Sequence, residues 1–286
     1  MKRSITICAV LMLLGLGYTD DTFGISESGF LYNGTTWTTL NYGTLPTWAV
    51  GISGNTIVGS YQDDSGNDNG FLYNLTSSTW TTLNYPGAQT TDIAGIDGSN
   101  VVGLYFDGSV YHGFLYDGTS WTTLPLRYVN GIDGSNVVGG NQLYNITTQS
   151  LTTINYPGGA STFISGIDGS NLVGAYSNGG VYHGFLYDGT SWTTFDYPYP
   201  GGTTTVICGI DGSNLVGYYI DNGSGNGFLY NGTTWTTLNY PGAQGTEITG
   251  IDGSNLVGFY TPSYPTPEPA TLLLLGFGAV MLRKKR

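Results

Sequence analysis

The chain repeats one unit of about 42 residues six times, a period that suits four short strands with their turns. Four copies carry the phrases Gly-Phe-Leu-Tyr, Trp-Thr-Thr, Gly-Ile-Asp-Gly and Val-Gly in this order. The first copy has Gly-Ile-Ser-Gly at Gly51, and the fourth has Leu-Thr-Thr at Leu151 in place of Trp-Thr-Thr. The Gly-Phe-Leu-Tyr phrases begin at Gly29, Gly70, Gly113, Gly184 and Gly227, and a degenerate copy begins at Asn141. A chain with such a repeat builds its core by packing each unit against its neighbours.

The composition of the unit predicts strands. Thr, Tyr, Trp, Phe and Val dominate the phrases, whereas Lys, Glu and Ala, which favour helices, are scarce. Pairs such as Asn33-Gly34 and Asp117-Gly118 are strong hairpin signals. Apolar residues fall at both parities of the strands, so both sheet faces should be covered. We therefore predict an all-β repeat protein, a six-bladed β-propeller of four-stranded blades over residues 29–260, with a β-solenoid as the alternative.

The N-terminus has the pattern of an export signal. Lys2 and Arg3 precede an apolar run at residues 5–16, which is too short for an ordinary membrane-spanning helix. Residues 1–17 are therefore predicted to be a secretory signal peptide. Residues 18–28 are expected to form a linker or an additional strand that closes the ring.

The C-terminus combines three features after a linker at residues 261–266. Pro267, Glu268 and Pro269 are followed by an apolar run at residues 272–282 and by four basic residues at 283–286. The run is shorter than the roughly 20 residues that span a bilayer comfortably. By the positive-inside rule the basic end should stay in the cytoplasm, so the large body should face outward.

Residues 267–286 resemble the PEP-CTERM sorting signal of Gram-negative bacteria. The resemblance implies a protein exported through the inner membrane, anchored there transiently by its C-terminal segment, and released by an exosortase that recognises Pro267, Glu268 and Pro269. It also implies a destination at the cell surface or outside the cell, in an extracellular polysaccharide or biofilm. The unit over residues 29–260 resembles the HAF family of extracellular repeats, which has no assigned catalytic residues.

The charge of the body is one-sided. Arg127 is the only Lys or Arg between Tyr18 and Tyr260, and 18 of the 19 acidic residues lie in that stretch. Such a surface repels phosphate backbones, so nucleic acid is excluded as a partner. Neutral sugars, divalent cations, basic peptides and cell-surface components remain as partners.

No catalytic set is predicted. His112 and His183 occupy equivalent repeat positions and are interpreted as turn residues, and the Asp of each Gly-Ile-Asp-Gly phrase is expected to bond its own turn. The repeated Trp is expected to pack between blades, with sugar stacking as the alternative.

Two oxygen-rich loops are weak candidates for calcium, since hard cations prefer oxygen ligands. They contain Asp63, Asp64 and Asp68 in one loop and Asp221 in the other, and neither has the full spacing of a calcium-binding loop. No other cofactor is expected.

The function predicted from the sequence is structural or adhesive, at the cell surface or in an exopolysaccharide. Two alternatives stay open. One is a lectin-like propeller that binds glycan or calcium, and the other is a hydrolase or lyase acting on polysaccharide through an asymmetric pair of Asp residues.

Overall fold

The computed structural model describes residues 27–198 and 204–263, and the regular elements in these residues are 24 β-strands. The first eight are β1 (Ser28–Tyr32), β2 (Trp37–Leu40), β3 (Thr47–Ser53), β4 (Thr56–Gln62), β5 (Asp68–Asn74), β6 (Thr79–Thr82), β7 (Thr90–Asp97) and β8 (Asn100–Phe106). The next eight are β9 (Tyr111–Tyr116), β10 (Trp121–Leu124), β11 (Gly131–Asp133), β12 (Asn136–Gly139), β13 (Gln142–Asn145), β14 (Ser150–Thr153), β15 (Ser161–Asp168) and β16 (Asn171–Asn178). The last eight are β17 (Val181–Tyr187), β18 (Trp192–Phe195), β19 (Thr205–Asp211), β20 (Asn214–Asp221), β21 (Ser224–Tyr230), β22 (Trp235–Thr237), β23 (Ala243–Asp252) and β24 (Asn255–Pro262).

The strands form six antiparallel four-stranded sheets arranged as the blades of a ring. Blades 1 to 5 each use four consecutive strands: β3–β6, β7–β10, β11–β14, β15–β18 and β19–β22. The first strands of successive blades pack against one another all the way round, so they line the centre. The six-bladed propeller is confirmed, and the β-solenoid alternative is wrong because the last blade packs against the first.

Blade 6 closes the ring with both ends of the repeat region. Its order is β23-β24-β1-β2, and β1 pairs antiparallel with β24 from Ser28 opposite Tyr260 to Tyr32 opposite Leu256. Of residues 18–28, only Glu27 and Ser28 lie among the described residues, and Ser28 is already the first residue of β1. The described part of the closing edge is therefore the first sequence repeat itself.

The blades begin in the middle of the sequence unit. The innermost strand carries Gly-Ile-Asp, the second Val-Gly, the third Gly-Phe-Leu-Tyr and the outermost Trp-Thr-Thr. The sequence repeat is thus shifted by half a blade. This shift leaves two strands at each end of the repeat region to complete blade 6.

The glycine of each Val-Gly phrase is required by the backbone. In five blades the innermost strand has a bulge directly before its Gly-Ile pair, and the backbone carbonyl three residues before that pair lies against this glycine. A Cβ atom on Gly217, for example, would collide with the carbonyl oxygen of Val206. The same collision with the innermost strand would occur at Gly59, Gly103, Gly174 and Gly258, and a Cβ on Gly139 would collide with the carbonyl of Tyr128, just before the innermost strand of blade 3.

The hydrophobic core lies between blades rather than in one central mass. Each third strand except that of blade 3 places a fully buried Phe on the face toward the preceding blade. These residues are Phe30, Phe71, Phe114, Phe185 and Phe228. Phe114 of blade 2, for instance, packs in one cluster with Val50 and Val58 of blade 1. Neighbouring blades therefore stabilise each other by burying apolar surface.

A ring of hydrogen bonds links the turns between first and second strands. The Asp side chain of one blade accepts the backbone N–H of the Gly in the equivalent turn of the next blade. The Asp–Gly pairs and their N···O distances are Asp97–Gly134 2.8 Å, Asp133–Gly169 2.9 Å, Asp168–Gly212 2.7 Å, Asp211–Gly253 2.7 Å and Asp252–Gly54 2.5 Å. Ser53 replaces Asp in blade 1 and accepts from Gly98 at 3.1 Å. The prediction that each Asp bonds its own turn was wrong, since its carboxylate reaches forward to the next blade.

Blade 3 is the smallest blade. Its first strand has three residues, and Gln142 and Leu151 stand where the other blades have Phe and Trp. Its contact with blade 2 is accordingly almost all aliphatic, with Leu124, Leu126 and Val129 in the buried cluster. Leu151 is 46% exposed. This blade breaks the symmetry of the ring.

Candidate functional site

Five blades carry the same unit of three aromatic rings. In blade 4, Tyr156 from the preceding connection stacks on Tyr176 with ring centroids 3.5 Å apart, and the Trp192 ring stands edge-on to Tyr156 at 5.1 Å. Both tyrosine hydroxyls bond Thr194 Oγ1, at 2.9 and 3.2 Å. The other units are Tyr42/Tyr61/Trp80, Tyr85/Tyr105/Trp121, Tyr197/Tyr219/Trp235 and Tyr240/Tyr260/Trp37.

Burial affects the tyrosines of these units. It raises the pKa of five of them above the ordinary value, so they remain protonated at neutral pH. They are Tyr61, Tyr105, Tyr176, Tyr219 and Tyr240. The expected packing of the Trp between blades is confirmed, because Trp80 of blade 1 lies in one cluster with Leu31 and Leu40 of blade 6.

A groove opens between blades 3 and 4, with a volume of about 730 Å³. Thr152 and Ile154 form part of one wall at the outer edge of blade 3, and Trp192 and Tyr187 form the opposite wall on blade 4. The groove extends from Asn136 near one face of the disc to Asn155 near the other. This volume is within the range of roughly 300–1,000 Å³ found for small-molecule sites.

The next interface differs at one position of its wall. Phe195 of blade 4 occupies the place that Ile154 occupies in blade 3, because both follow the Thr-Thr pair of the outermost strand. The Phe195 ring contacts Tyr230 and Trp235 of blade 5, with centroids 5.4 and 6.4 Å apart. A larger, aromatic side chain therefore occupies this place in the interface of blades 4 and 5.

The loop face that connects blades carries a repeated polar pair. The residue before the third-strand Gly, or in blade 3 Asn141 at the place of that Gly, bonds the residue two positions after the Thr-Thr pair of the outermost strand. Three pairs are amide to amide: Asn84–Asn69 at 2.7 Å, Asn141–Asn155 at 2.9 Å and Asn239–Asn226 at 2.9 Å. In blade 4 the pair is His183 Nδ1 with Asp196 Oδ2 at 2.8 Å. The two histidines lie in strands β9 and β17, so their interpretation as turn residues was wrong.

His112 bonds a partner at a different position from that of His183. Pro125 stands at the position of the usual polar partner, and His112 Nε2 lies 2.8 Å from Asp107 Oδ2 instead. The backbone N–H of Val110 and the His112 side chain lower the pKa of Asp107 to about 2. The two histidines therefore belong to separate pairs on blades 2 and 4.

The calcium candidates have hydrogen-bonding roles in their hairpins. Asp63 Oδ1 accepts the N–H groups of Ser65 and Asn67, both at 2.9 Å, and the Asn67 bond is the chief cause of its lowered pKa. Asp68 is 4% exposed, whereas Asp64 lies exposed at the hairpin tip.

Asp221 lies on blade 5, away from the blade 1 hairpin, and accepts a bond from Asn222 at 2.9 Å. Within residues 27–198 and 204–263, no three His, Cys, Asp or Glu side chains are grouped to hold a metal ion. Cys208 is 3% exposed and packs in the core with Val206 and Tyr218.

The predicted signal peptide and the sorting motif at Pro267, Glu268 and Pro269 lie outside the described residues. In the part of the chain that the structure does describe, no helix has the length and hydropathy to cross a membrane.

Comparison with protein families identifies the tail. Residues 265–286 match the model of the PEP-CTERM protein-sorting motif. The motif implies that the protein is exported across the inner membrane of a Gram-negative bacterium and sorted by an exosortase. A search of curated proteins gives no match to this chain.

Comparison with solved structures agrees with the observed fold. A candidate TolB protein from Agrobacterium tumefaciens is 13% identical, with a TM-score of 0.60 over 85% of this chain and 99% of that one. The β-propeller domain of the trilobed protease from Pyrococcus furiosus is 10% identical, with a TM-score of 0.53 over 77% and 92%. A chain of the nidogen/laminin complex is 11% identical, with a TM-score of 0.52 over 81% and 98%. At these identities the similarity shows the fold alone.

Sequence reasoning missed the groove and the bonds between turns. The groove lies beside the small blade 3, and Ile154 in its wall differs little in type from the Leu found in most copies, so the sequence does not single it out. Asp and Gly are neighbours within each Gly-Ile-Asp-Gly phrase, so the sequence suggests a bond inside one turn. Only the ring geometry shows that the bonding partner belongs to the next repeat.

Proposed function

We propose that the protein is an exosortase substrate that works outside the cell as a non-enzymatic structural or adhesive propeller within an extracellular polysaccharide layer. The observation that carries this proposal is the sorting motif at residues 265–286 behind a closed propeller. The motif supports export and processing, and the closed ring gives a compact module. The HAF resemblance of the repeats supports the same extracellular setting.

The surface chemistry supports weak contacts with neutral polymers. The outermost strands present Thr side chains around most of the rim, and the turns present Asn, Ser and Gly. The body has a single cation, Arg127, so polyanions would be repelled. Repeated weak contacts on one rigid ring gain strength from their number.

The test uses the full chain expressed in a Gram-negative bacterium that has an exosortase. We expect the chain to appear outside the cell and to remain with the exopolysaccharide after washing. Replacement of Pro267, Glu268 and Pro269 by Ala should hold the chain at the inner membrane, because the motif that the exosortase reads is gone. A chain that is exported but washes freely from the matrix contradicts the adhesive role.

The same purified chain also tests two other functions. Saturable glycan binding that requires calcium would favour a lectin with a metal site, and release of reducing ends from the purified exopolysaccharide would favour a hydrolase. The His112 and His183 pairs lie on separate blades, and Asp63 accepts hydrogen bonds within its own hairpin. These observations favour neither the lectin nor the hydrolase.

A further inference from the structure

We propose that the groove between blades 3 and 4 binds a segment of a neutral oligosaccharide, with Trp192 as its stacking surface. The inference rests on the proposed function and names the site and ligand class through which it would operate.

The apolar wall is held rigidly. Trp192 contacts Phe185 edge-on at 5.0 Å, Tyr187 at 4.5 Å and Tyr156 edge-on at 5.1 Å. Three aromatic neighbours therefore fix the plane of the indole before any ligand arrives. Leu143 on the opposite blade completes the apolar surface. A fixed apolar platform suits the C–H face of a pyranose ring, because little side-chain entropy is lost on binding.

The polar groups of the groove lie along its length. Asn136 and Ser170 lie at or beside the turns between first and second strands at one end, Asn155 lies near the other end, and Thr152 lies in the outermost strand of blade 3 between them. The side-chain oxygens of Asn136 and Asn155 accept bonds from Asn145 and Asn141, at 2.8 and 2.9 Å. The hydrogen bond that each oxygen accepts fixes the orientation of its amide, and the N–H groups of the amide remain as donors to a ligand. Donors spread along a channel match the hydroxyls of a linear sugar chain.

The charge of the groove selects a neutral ligand. None of its described lining residues is acidic or basic. The body around it is strongly acidic, with Arg127 as its only cation. A polyuronate would have to approach through this negative field without a basic partner in the groove, whereas a neutral glycan would not.

The repeat supplies matched variants. Trp192→Ala removes the platform, and Trp235→Ala removes the equivalent ring in blade 5, where Phe195 already fills the interface. Ile154→Phe leaves Trp192 in place and copies Phe195, so it should close the groove without removing any packing residue. If Trp192→Ala impairs folding, Ile154→Phe still decides the question.

The experiment measures binding of neutral hexasaccharides of glucose, mannose, galactose and N-acetylglucosamine to the full chain, by calorimetry in mild detergent, with an alginate hexasaccharide for comparison. We expect at least one neutral sugar to bind and alginate not to bind. Trp192→Ala and Ile154→Phe should each weaken binding about tenfold or more, and Trp235→Ala less than about twofold.

Three results would overturn the inference. They are no binding of any neutral hexasaccharide, equal loss in Trp235→Ala and Trp192→Ala, and full binding by Ile154→Phe. Retention of the full chain in the exopolysaccharide separates this site from the proposed function. If the Ile154→Phe chain is retained like the unaltered chain, the groove is not the site, yet the adhesive role stands. If the unaltered chain is not retained, the proposed function itself fails.

Discussion

Replacement of Gly217 by Ala tests whether the bulged first strand dictates the repeated Val-Gly phrase. The added Cβ would collide with the carbonyl oxygen of Val206, which is backbone and cannot turn aside as a side chain can. Gly225 in the same blade provides the control, because the nearest atoms to a Cβ there are 3.8 Å away, at Glu247 and Thr246. Both glycines lie inside strands and neither has a positive φ.

The expected cost follows from this geometry. Overpacking costs typically 1–3 kcal/mol, and a rigid backbone atom places Gly217→Ala at about 3 kcal/mol. The control should be neutral or slightly stabilising, since Gly is disfavoured in a strand relative to Ala. The total free energy of unfolding is roughly 5–15 kcal/mol, so Gly217→Ala loses a large share of it and Gly225→Ala loses none.

Urea unfolding of residues 27–263, followed by tryptophan fluorescence, measures the difference. With a slope of about 3 kcal/mol per molar, the midpoint of Gly217→Ala should fall by roughly 1 M and that of Gly225→Ala should stay within about 0.2 M. Equal midpoints for the two variants would refute the argument, because they would show that the bulge does not hold the Val206 carbonyl where the structure places it.

Three further predictions concern the ring, its acids and its tail. Asp133→Ala should lower the unfolding free energy by about 1 kcal/mol through loss of the bond to Gly169, and an unchanged urea midpoint would contradict the role of the bonds between turns. The pKa of Asp107 is lowered to about 2, so its contribution to stability is present above the unfolded value of about 3.9 and is lost as the pH falls toward 2. The difference in urea midpoint between the unaltered chain and Asp107→Asn should therefore shrink over that range, and a constant difference would count against it. Glu268→Ala should raise the membrane-bound fraction of the full chain in cell fractionation, and an unchanged distribution would show that Glu268 is not read by the exosortase.

The fold was largely predictable because the repeat is regular. The Gly-Phe-Leu-Tyr and Trp-Thr-Thr phrases predict strands by their residue types, and the period predicts four per blade. The point at which a blade begins was not predictable, because every position of a cyclic repeat is an equally good start. The pairing of Ser28 with Tyr260 settles it, and that contact joins residues at opposite ends of the repeat region.

The candidate site was less predictable than the fold. The Trp positions were recognised, but the sequence does not show which inter-blade space stays open. The groove lies beside blade 3, the smallest blade, with Ile154 in its wall, whereas Phe195 occupies the corresponding place in the next interface. The sorting motif could be recognised because an enzyme reads it as a linear sequence, so no tertiary contact is needed to find it.

Closure of the ring is tested most directly by small-angle X-ray scattering from residues 27–263. A closed six-bladed disc of this size should have a radius of gyration of about 18 Å. A compact distance distribution with that radius is the predicted result. A much larger radius with the long tail of a rod would contradict the pairing of β1 with β24, on which the whole arrangement of blades depends.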